Sequence, residues 1–165
     1  MADPEPVLQL IDAFRASKVM FTAVSLELFD LLEPAPATVA DLAARTRTNS
    51  DALRRLLDAC VALTLLIRDG DCYRNTPVAS QYLRRDSPDT LTGYILYSDR
   101  VLYHLWANLA DAVREGSHRL TQTFGSQAGI FDQLFATEES RLTFLAGMHG
   151  MGRLSSPAVV AAFDL

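Results

Sequence analysis

The chain has 165 residues, 49% of them apolar and 21% charged, which suits one compact core and excludes a disordered segment. Its formal net charge of -5 disfavours binding to nucleic acid or an anionic membrane, since either partner requires a basic surface. Cys60 and Cys72 have neither a zinc-ligand spacing nor the pattern of a disulfide framework. No signal sequence or membrane-spanning run is recognisable, so we expect a cytoplasmic protein with free thiols.

The first predicted element is helical. Apolar residues recur at nearly helical spacing from Val7 to Leu32, with a polar interruption at Ser17-Lys18, which predicts one long helix or two abutting helices. The segment is apolar on almost every side. It must therefore be covered on more than one face, which a second copy of the chain would provide.

Two shorter helices follow. Thr38 is a capping residue with an aspartate three positions later, which predicts a helix over about 39–45. Asn49 or Ser50 caps a longer helix, whose buried stripe runs from Leu53 to Leu65. Two helices joined by a short polar link predict a helix-turn-helix.

A β-hairpin comes next. Leu65–Arg68 and Asp71–Arg74 are strand-like segments on either side of Asp69-Gly70, a dipeptide that tolerates positive backbone φ. A hairpin after a helix-turn-helix is the wing of a winged-helix fold. We therefore predict a mainly α fold, a winged helix-turn-helix-like domain with one small β-hairpin.

The rest of the chain is predicted to be helical. Thr76-Pro77 and Ser87-Pro88 each pair a capping hydroxyl with a proline at the first helical position. The second of these pairs opens a stretch that runs to Gly116, with a possible break near Ser98-Asp99. Weak periodicity predicts a loop over 117–129, with Phe124 turned inward.

Three further helices are expected after that loop. One covers about 129–136, one is capped by Thr137, and a short one opens at Ser155 or Ser156 with Pro157 and runs to Ala162. Phe163-Asp164-Leu165 resembles the lead-in to a strand.

The helix-turn-helix suggests a DNA-binding transcription regulator as one possible function, because such units place their second helix in the major groove. Here the second helix carries Arg54 and Arg55 but also Asp51 and Asp58. Phosphates would meet a mixed surface, so the charge pattern favours a structural role for the motif.

Residues for catalysis or metal binding are not recognisable. His104, His118 and His149 are far apart, and no second ligand shares a helical face with any of them. Motifs for a nucleophilic serine or cysteine and for a phosphate or dinucleotide loop are missing too. We assign no catalytic residue and no metal site.

Phe144, Met148 and Met151 lie on one side of a predicted helix. Such a group can be ordinary core, or it can line an adaptable pocket for a flat apolar ligand, since thioethers pack well against rings. Periodicity leaves both interpretations open.

Two sets of short strings in the sequence are informative when each set is taken together. The first set comprises Leu28–Leu32, Val39–Ala43 and Leu53–Asp58, and the second set comprises Tyr73–Thr76, Leu109–Gly116, Thr123–Gly125 and Ala161–Leu165. The first set resembles the plant-type class I O-methyltransferases, in which a helix-rich dimerisation region with a winged-helix core precedes a Rossmann-like catalytic domain. The second set resembles the acetylserotonin O-methyltransferase branch of that family, including the acetylserotonin O-methyltransferase-like proteins.

The resemblance implies transfer of a methyl group from S-adenosylmethionine to a hydroxyl of a small aromatic substrate, by a homodimer that pairs through its N-terminal helices. It places the donor loop and the general base beyond Leu165, so this chain alone should not turn over substrate. It also implies that residues 1–116 form the dimerisation domain, and that residues 117–165 bridge to the methyltransferase domain and cap it. A catalytically silent interaction module, made by truncation, is the third interpretation.

The family motif extends to individual positions. Phe144, Met148 and Met151 match the helix that walls the substrate pocket, and Phe14 matches a residue that enters the partner subunit's pocket. Phe135 stands where acetylserotonin enzymes have a tyrosine near the donor, which makes it the candidate cofactor-binding residue. Gly152 replaces a tryptophan. These last two departures remove ligand contacts and argue against acetylserotonin as the substrate.

Overall fold

A computed structural model describes residues 2–125 and 129–163. Among those residues, we find no helix that combines the length and apolarity needed to cross a bilayer. The cytoplasmic location stays a prediction. The chain packs as two compact units, one ending at Thr90 and the other beginning at Leu91.

The first unit begins with two helices. Helix α1 spans Glu5–Ser25 and helix α2 spans Leu28–Leu32. Glu27 separates them with a left-handed backbone at φ 57°, a conformation that a helix interior excludes. The sequence was compatible with one long helix or with two abutting helices, and the structure has two.

The predicted helix-turn-helix is present. Helix α3 spans Val39–Thr46, and helix α4 spans Ser50–Ala62. The Thr38 hydroxyl accepts a hydrogen bond from the backbone N–H of Asp41, and the Asn49 side chain accepts from the first turn of α4. Each cap occupies a helix-terminal donor that the helix itself leaves unpaired.

The hairpin forms, with one difference in its turn. Strand β2 (Leu66–Asp69) pairs antiparallel with strand β3 (Cys72–Asn75), and Asp69 lies opposite Cys72. The turn is therefore Gly70-Asp71 and not Asp69-Gly70, and Gly70 takes the positive φ of 57°.

A third strand extends the sheet. Strand β1 (Ala37–Thr38) pairs with β3, so the order is β1-β3-β2. The prediction of a hairpin alone missed this strand, because two residues are too short for any alternation to be recognised.

The core of this unit is apolar and fully enclosed. It collects one face of each of α1 to α4 onto the inner face of the sheet, and packing of this kind supplies most of the stability of a small domain. Its most deeply buried side chains are Val24, Leu28, Phe29, Leu42, Leu57, Cys60, Leu66 and Tyr73.

Helix α5 (Pro77–Tyr82) closes the first unit, capped by Thr76 as predicted. A polar network ties it to α2. The Glu33 carboxylate accepts hydrogen bonds from Ser80 and Asn75, at 2.7 and 3.0 Å, and pairs with Arg84 at 3.1 Å.

The helix predicted to open at Ser87-Pro88 does not start there. The Ser87 hydroxyl donates to the carbonyl oxygen of Gln81 and accepts from the N–H of Asp89. A hydroxyl engaged in this way forms a local turn instead of capping a helix. The helix begins later, in the second unit.

The second unit is helical in all its described elements. Its long stretch changes pitch where a break was expected, since residues Ser98–Leu102 form a π-helical turn. Gly116 ends helix α8 with positive φ, as predicted. The α-helices are α6 (Thr92–Tyr97), α7 (Tyr103–Trp106), α8 (Leu109–Glu115), α9 (Leu120–Phe124), α10 (Ile130–Leu134) and α11 (Glu138–Ala162).

Two predictions in this unit were wrong. The loop expected over 117–129 contains α9, and Phe124 is half-buried at its end. The short helix expected at Pro157 is the continuation of α11, because the φ of proline is helical and α11 absorbs the missing N–H. Phe163 ends α11, while Asp164 and Leu165 of the expected strand lead-in lie outside the described residues.

The packing boundary differs from the functional boundary that the sequence suggested. Along the chain, the first compact unit ends at Thr90 and the second begins at Leu91. The division of roles between residues 1–116 and 117–165 stays a prediction.

Candidate functional site

The first half of α1 projects an uncovered apolar stripe. Residues 2–15 are all exposed, and Leu10 is exposed at 77%. Val7, Leu10, Ile11 and Phe14 follow one another at three- and four-residue spacing, so they share one face of the helix. A contiguous exposed face of this kind marks an interaction surface.

The polar residues of this half-helix are paired locally. Gln9 donates to Glu5 at 3.0 Å, and Arg15 pairs with Asp12. The Arg15 guanidinium also lies 5.4 Å from the ring centre of Phe14, which is itself 50% exposed. A partner of α1 would therefore meet an apolar face whose flanking polar side chains already make local hydrogen bonds or ion pairs.

The second unit brings four aromatic rings together. The ring of Phe144, on α11, lies edge-on to two other rings. Its centre is 5.4 Å from the ring centre of Tyr97 and 5.9 Å from that of Phe135. Phe131 stacks on Phe135 at 6.2 Å and meets Phe144 at 6.3 Å. We call Tyr97, Phe131, Phe135 and Phe144 the aromatic cluster. Its edge-to-face contacts are the geometry that aromatic rings prefer.

A cavity of about 220 Å³ adjoins this cluster. Tyr97 lines it, together with hydroxyl-bearing residues at the start of α11, and Arg100 pairs with Glu139 at 2.9 Å beside it. Burial raises the pKa of Tyr97, so its phenol stays protonated at neutral pH. The cavity thus offers neutral hydroxyls next to apolar ring faces.

The predicted site residues are distributed unevenly. Phe135 and Phe144 are in contact in the aromatic cluster. Met148 and Met151 follow Phe144 along α11 and are partly exposed. Phe14 belongs to the first unit. The substrate and donor roles of these five residues stay predictions.

Two members of the cluster were missed as site residues. Phe131 precedes Phe135 by four positions, and that spacing was the available signal because it places two rings on one helical face. Tyr97 lies within the helical stretch that was predicted to run to Gly116, and no spacing singled it out. Its contact with Phe144 joins segments almost fifty residues apart, which local patterns do not encode.

Close packing fixes α11 against α6. A Cβ atom built on Gly93 would lie 2.6 Å from the backbone N of Gly147, so the two helices approach backbone to backbone. A Cβ on Gly152 would meet nothing within 4 Å. The first two glycines are required for the crossing, whereas Gly152 leaves open space.

The described residues around the aromatic cluster contribute rings and hydroxyls. Within 2–125 and 129–163 we find no group of three or more His, Cys, Asp and Glu side chains that could hold a metal ion. Burial raises the pKa of Cys60 to about 12, which makes that thiol unreactive. The cavity beside the aromatic cluster is therefore lined by apolar rings and hydroxyls, with the Arg100–Glu139 ion pair at its edge.

An apolar α1 and a helix-turn-helix with a three-stranded sheet define a helical pairing domain. Residues 8–85 match the family model described as the O-methyltransferase dimerisation domain. This segment, slightly under half of the chain, is therefore an O-methyltransferase dimerisation domain. The predicted mainly α fold is confirmed as the N-terminal dimerisation region of the O-methyltransferase fold.

Known relatives cover the whole chain. It is 39% identical to acetylserotonin O-methyltransferase of Gallus gallus, over 98% of the chain and 49% of that protein. It is 36% identical to the tetracenomycin polyketide synthesis 8-O-methyl transferase TcmO of Streptomyces glaucescens, over 98% of the chain and 46% of that protein. The chain therefore spans about half the length of these relatives.

A solved structure has the same fold. Human N-acetylserotonin methyltransferase in complex with SAM superposes with a TM-score of 0.90 at 36% identity, over 100% of this chain and 50% of that one. The resemblance recognised in the sequence is confirmed at the level of the family.

Proposed function

We propose that this chain is the dimerisation and substrate-cap region of an S-adenosylmethionine-dependent O-methyltransferase that acts on the hydroxyl of a small aromatic substrate. One observation carries the proposal: the segment that matches the dimerisation domain begins within α1, whose apolar face is exposed. Burying an apolar surface of this kind against a partner is favourable, because it removes the surface from contact with water.

The expected partner is a second copy of the chain. A homodimer with two-fold symmetry uses the same patch on both subunits, so one apolar helix face can satisfy both partners. Leu10 and Phe14 belong to that face and are exposed at 77% and 50%. We expect them to lose most of their exposure in the dimer.

The aromatic cluster supports the substrate-cap role. Phe144 presents its ring beside those of Tyr97 and Phe135, and Met148 and Met151 extend the same helix with flexible thioethers. Such a surface accepts flat rings of differing shape. The two relatives carry names with different acceptors, acetylserotonin and a tetracenomycin polyketide, so the acceptor of this chain is proposed only as a small aromatic hydroxyl compound.

The residues present fit one wall of a donor site. S-adenosylmethionine supplies a methyl group carried on a cationic sulfonium centre, and an exposed aromatic face attracts such a cation. Phe135 is exposed and stacked on Phe131, so its position is held while its outer face stays open. We propose that Phe135 packs against the donor, and that this chain is inactive alone because donor binding and proton removal need the rest of the enzyme.

The helix-turn-helix has a structural role in this proposal. Together, α3, α4 and the hairpin form a winged-helix arrangement whose exposed surface mixes Arg54 and Arg55 with acidic residues, in keeping with the overall charge of -5. A DNA-binding regulator predicts the opposite result in one assay. Affinity for random duplex DNA at low salt, falling steeply as salt rises, would support the regulator and contradict our proposal.

Light scattering tests the pairing. We expect a dimer at concentrations on the order of tens of micromolar, because interlocked interfaces are large. Leu10→Asp places a charge in the apolar face and should give a monomer, with its helical circular dichroism retained. Val78→Asp introduces the same charge at another exposed apolar position of the first unit and should remain dimeric. A monomeric unsubstituted chain would contradict the proposal.

Calorimetry with S-adenosylmethionine tests whether the main donor site lies outside this chain. We expect no tight binding to residues 1–165, since one aromatic wall does not make a donor site. Tight binding would refute the claim that the main donor site lies outside this chain.

A further inference from the structure

The cavity beside the aromatic cluster contains a polar group that the fold does not use. Tyr97 lines this cavity of about 220 Å³ and is only 9% exposed. Its ring lies beside those of Tyr94 and Phe144, and among the described residues its hydroxyl has no hydrogen-bond partner. A tyrosine this deeply buried normally finds a partner for its hydroxyl. The cavity is the space in which a ligand could supply one.

Four of the other polar residues that line the cavity already bind one another in pairs. The Thr137 hydroxyl accepts a hydrogen bond from the backbone N–H of Ser140, and the Ser140 hydroxyl donates to the carbonyl oxygen of Thr137. Arg100 and Glu139 form an ion pair whose side chains are 49% and 77% exposed, so the pair lies at the solvent end of the cavity. The two charges neutralise each other. The cavity therefore suits an uncharged ligand better than an ion.

The rest of the lining and the size of the cavity indicate a small ring. Val101, Phe124 and Leu134 supply apolar walls. An apolar cavity of about 150 Å³ is enough to hold benzene, so this larger one accommodates a ring with one small substituent. A water molecule needs roughly two to four polar partners to be well held. Water beside the Tyr97 hydroxyl would be held weakly, and a ligand that displaces weakly held water gains affinity.

The walls of the cavity are held in place by packing. Tyr97 belongs to α6, and the backbones of α6 and α11 approach so closely that a Cβ atom on Gly93 would lie 2.6 Å from the backbone N of Gly147. Arg100 and Val101 belong to the π-helical turn that follows α6, a feature found frequently at functional sites. A ligand would therefore enter a largely preformed pocket, as is typical of small-molecule sites.

We propose that this cavity is a binding site for a small uncharged aromatic molecule that carries a hydrogen-bond-accepting oxygen. The ring of the ligand packs against the apolar walls, and its oxygen accepts a hydrogen bond from the Tyr97 hydroxyl. Because burial raises the pKa of Tyr97, the hydroxyl remains a donor at neutral pH.

The site is distinct from the surfaces used in the proposed function. All of its described lining residues belong to the second unit, so binding requires neither pairing through α1 nor the methyl donor. Phe144, Met148 and Met151, to which the substrate-cap role is assigned, are not among the residues that line it.

A pair of probes of the same shape tests the ligand class. Acetophenone has one ring and a carbonyl oxygen, and α-methylstyrene has a CH₂ group in place of that oxygen. We expect acetophenone to shift the methyl resonances of Val101, Leu134 and Thr143 saturably in an NMR titration of residues 1–165. We expect α-methylstyrene to shift the same resonances with an affinity roughly 2- to 10-fold lower, since it cannot accept the hydrogen bond.

Tyr97→Phe tests the residue, because it removes the hydroxyl and keeps the ring. The variant should bind acetophenone roughly 2- to 10-fold more weakly than the unsubstituted chain and bind α-methylstyrene equally well. Tyr94→Phe is the matched control. It removes a hydroxyl from the same helix at a residue that does not line the cavity, so it should change neither affinity.

Three results would overturn this inference. The first is that acetophenone leaves the three methyl resonances unshifted, and the second is that Tyr97→Phe binds acetophenone as tightly as the unsubstituted chain. The third is that Met148→Ala weakens acetophenone binding as much as Tyr97→Phe does, which would place the probe on the substrate-cap surface and leave the proposed function standing. Conversely, a monomeric chain that binds acetophenone through Tyr97 would support this inference and contradict the proposed pairing.

Discussion

The two units bury their apolar residues very differently. In the first unit, Phe29, Leu42 and Leu57 are fully buried among residues drawn from four helices and a sheet. In the second, the 25 residues of α11 include two that are buried, and both are glycines, Gly147 and Gly150. One unit encloses its own core, while the other displays much of its apolar surface.

This difference indicates what each unit depends on. The first unit gains stability from its own packing, which is sufficient for a domain of this size when the core is continuous. The second contributes surfaces, namely the aromatic cluster and the exposed apolar side chains of α7 and α8 such as Trp106, which are stabilised when something covers them. Substitutions in the buried core of the first unit should therefore affect folding, whereas substitutions at exposed apolar residues of either unit should affect assembly.

The largest expected effect is at Phe29. Phe29→Ala leaves a cavity in the core and should lower the free energy of unfolding by roughly 3–5 kcal/mol. Phe131→Ala makes the same change at a ring that is 60% exposed and should cost less than about 1 kcal/mol. Urea unfolding followed by circular dichroism measures both. Equal losses would contradict the contrast between the units.

A smaller effect is expected where the second unit does pack tightly. Gly93→Ala places a methyl group 2.6 Å from a backbone atom of α11, so the helices must separate, at a cost of roughly 1–3 kcal/mol. Gly152→Ala is the control, since its methyl group enters open space and should add roughly 0.5–1 kcal/mol of helix stability. Thermal unfolding compares the two. A stabilising Gly93→Ala would disprove the close crossing of α6 and α11.

The two capping boxes sharpen the comparison. Thr38 caps α3 in the first unit, and Thr137 caps α11 in the second. Thr38→Ala should cost about 1 kcal/mol of global stability, because α3 belongs to the closed core. Thr137→Ala should mainly speed hydrogen exchange in the first turn of α11. If Thr137→Ala lowered global stability and Thr38→Ala only sped local hydrogen exchange, the second unit would be the more cooperative of the two.

The smallest effect is a dependence on pH in the first unit. Hydrogen bonds from Ser80 and Asn75, together with the charge of Arg84, hold the pKa of Glu33 below its ordinary value of 4.5. Its contribution to stability is therefore complete above that value and is lost as pH falls through the lower pKa of the folded state. Ser80→Ala should weaken the loss of stability that occurs as pH falls below 4.5, measured by urea unfolding. An unchanged profile would exclude Glu33 as a contributor.

Local signals in the sequence were enough for much of the first unit. Thr38 and Asn49 marked the starts of α3 and α4, and Gly70 marked the hairpin, because caps and turns depend on neighbouring residues alone. Strand β1 was missed because only its pairing with β3 defines it. The start of α6 was misplaced because the hydroxyl of Ser87 is bound by the carbonyl oxygen of Gln81.

The candidate site was less accessible to sequence reasoning. Phe135 and Phe144 came from the family resemblance, and the structure shows that they are in contact. The contact of Tyr97 with Phe144 depends on helices that meet only after folding, and no local pattern distinguishes an exposed tryptophan such as Trp106 from a buried one. The sequence patterns did not reveal how far each of these side chains is buried.

The most direct test of pairing through α1 is hydrogen exchange, read by mass spectrometry above and below the dimerisation concentration. We predict that amides in residues 5–14 of α1 become strongly protected in the dimer, while those around Leu57 in the closed core exchange equally slowly at both concentrations. Exchange in residues 5–14 that is equally fast at both concentrations would contradict the account.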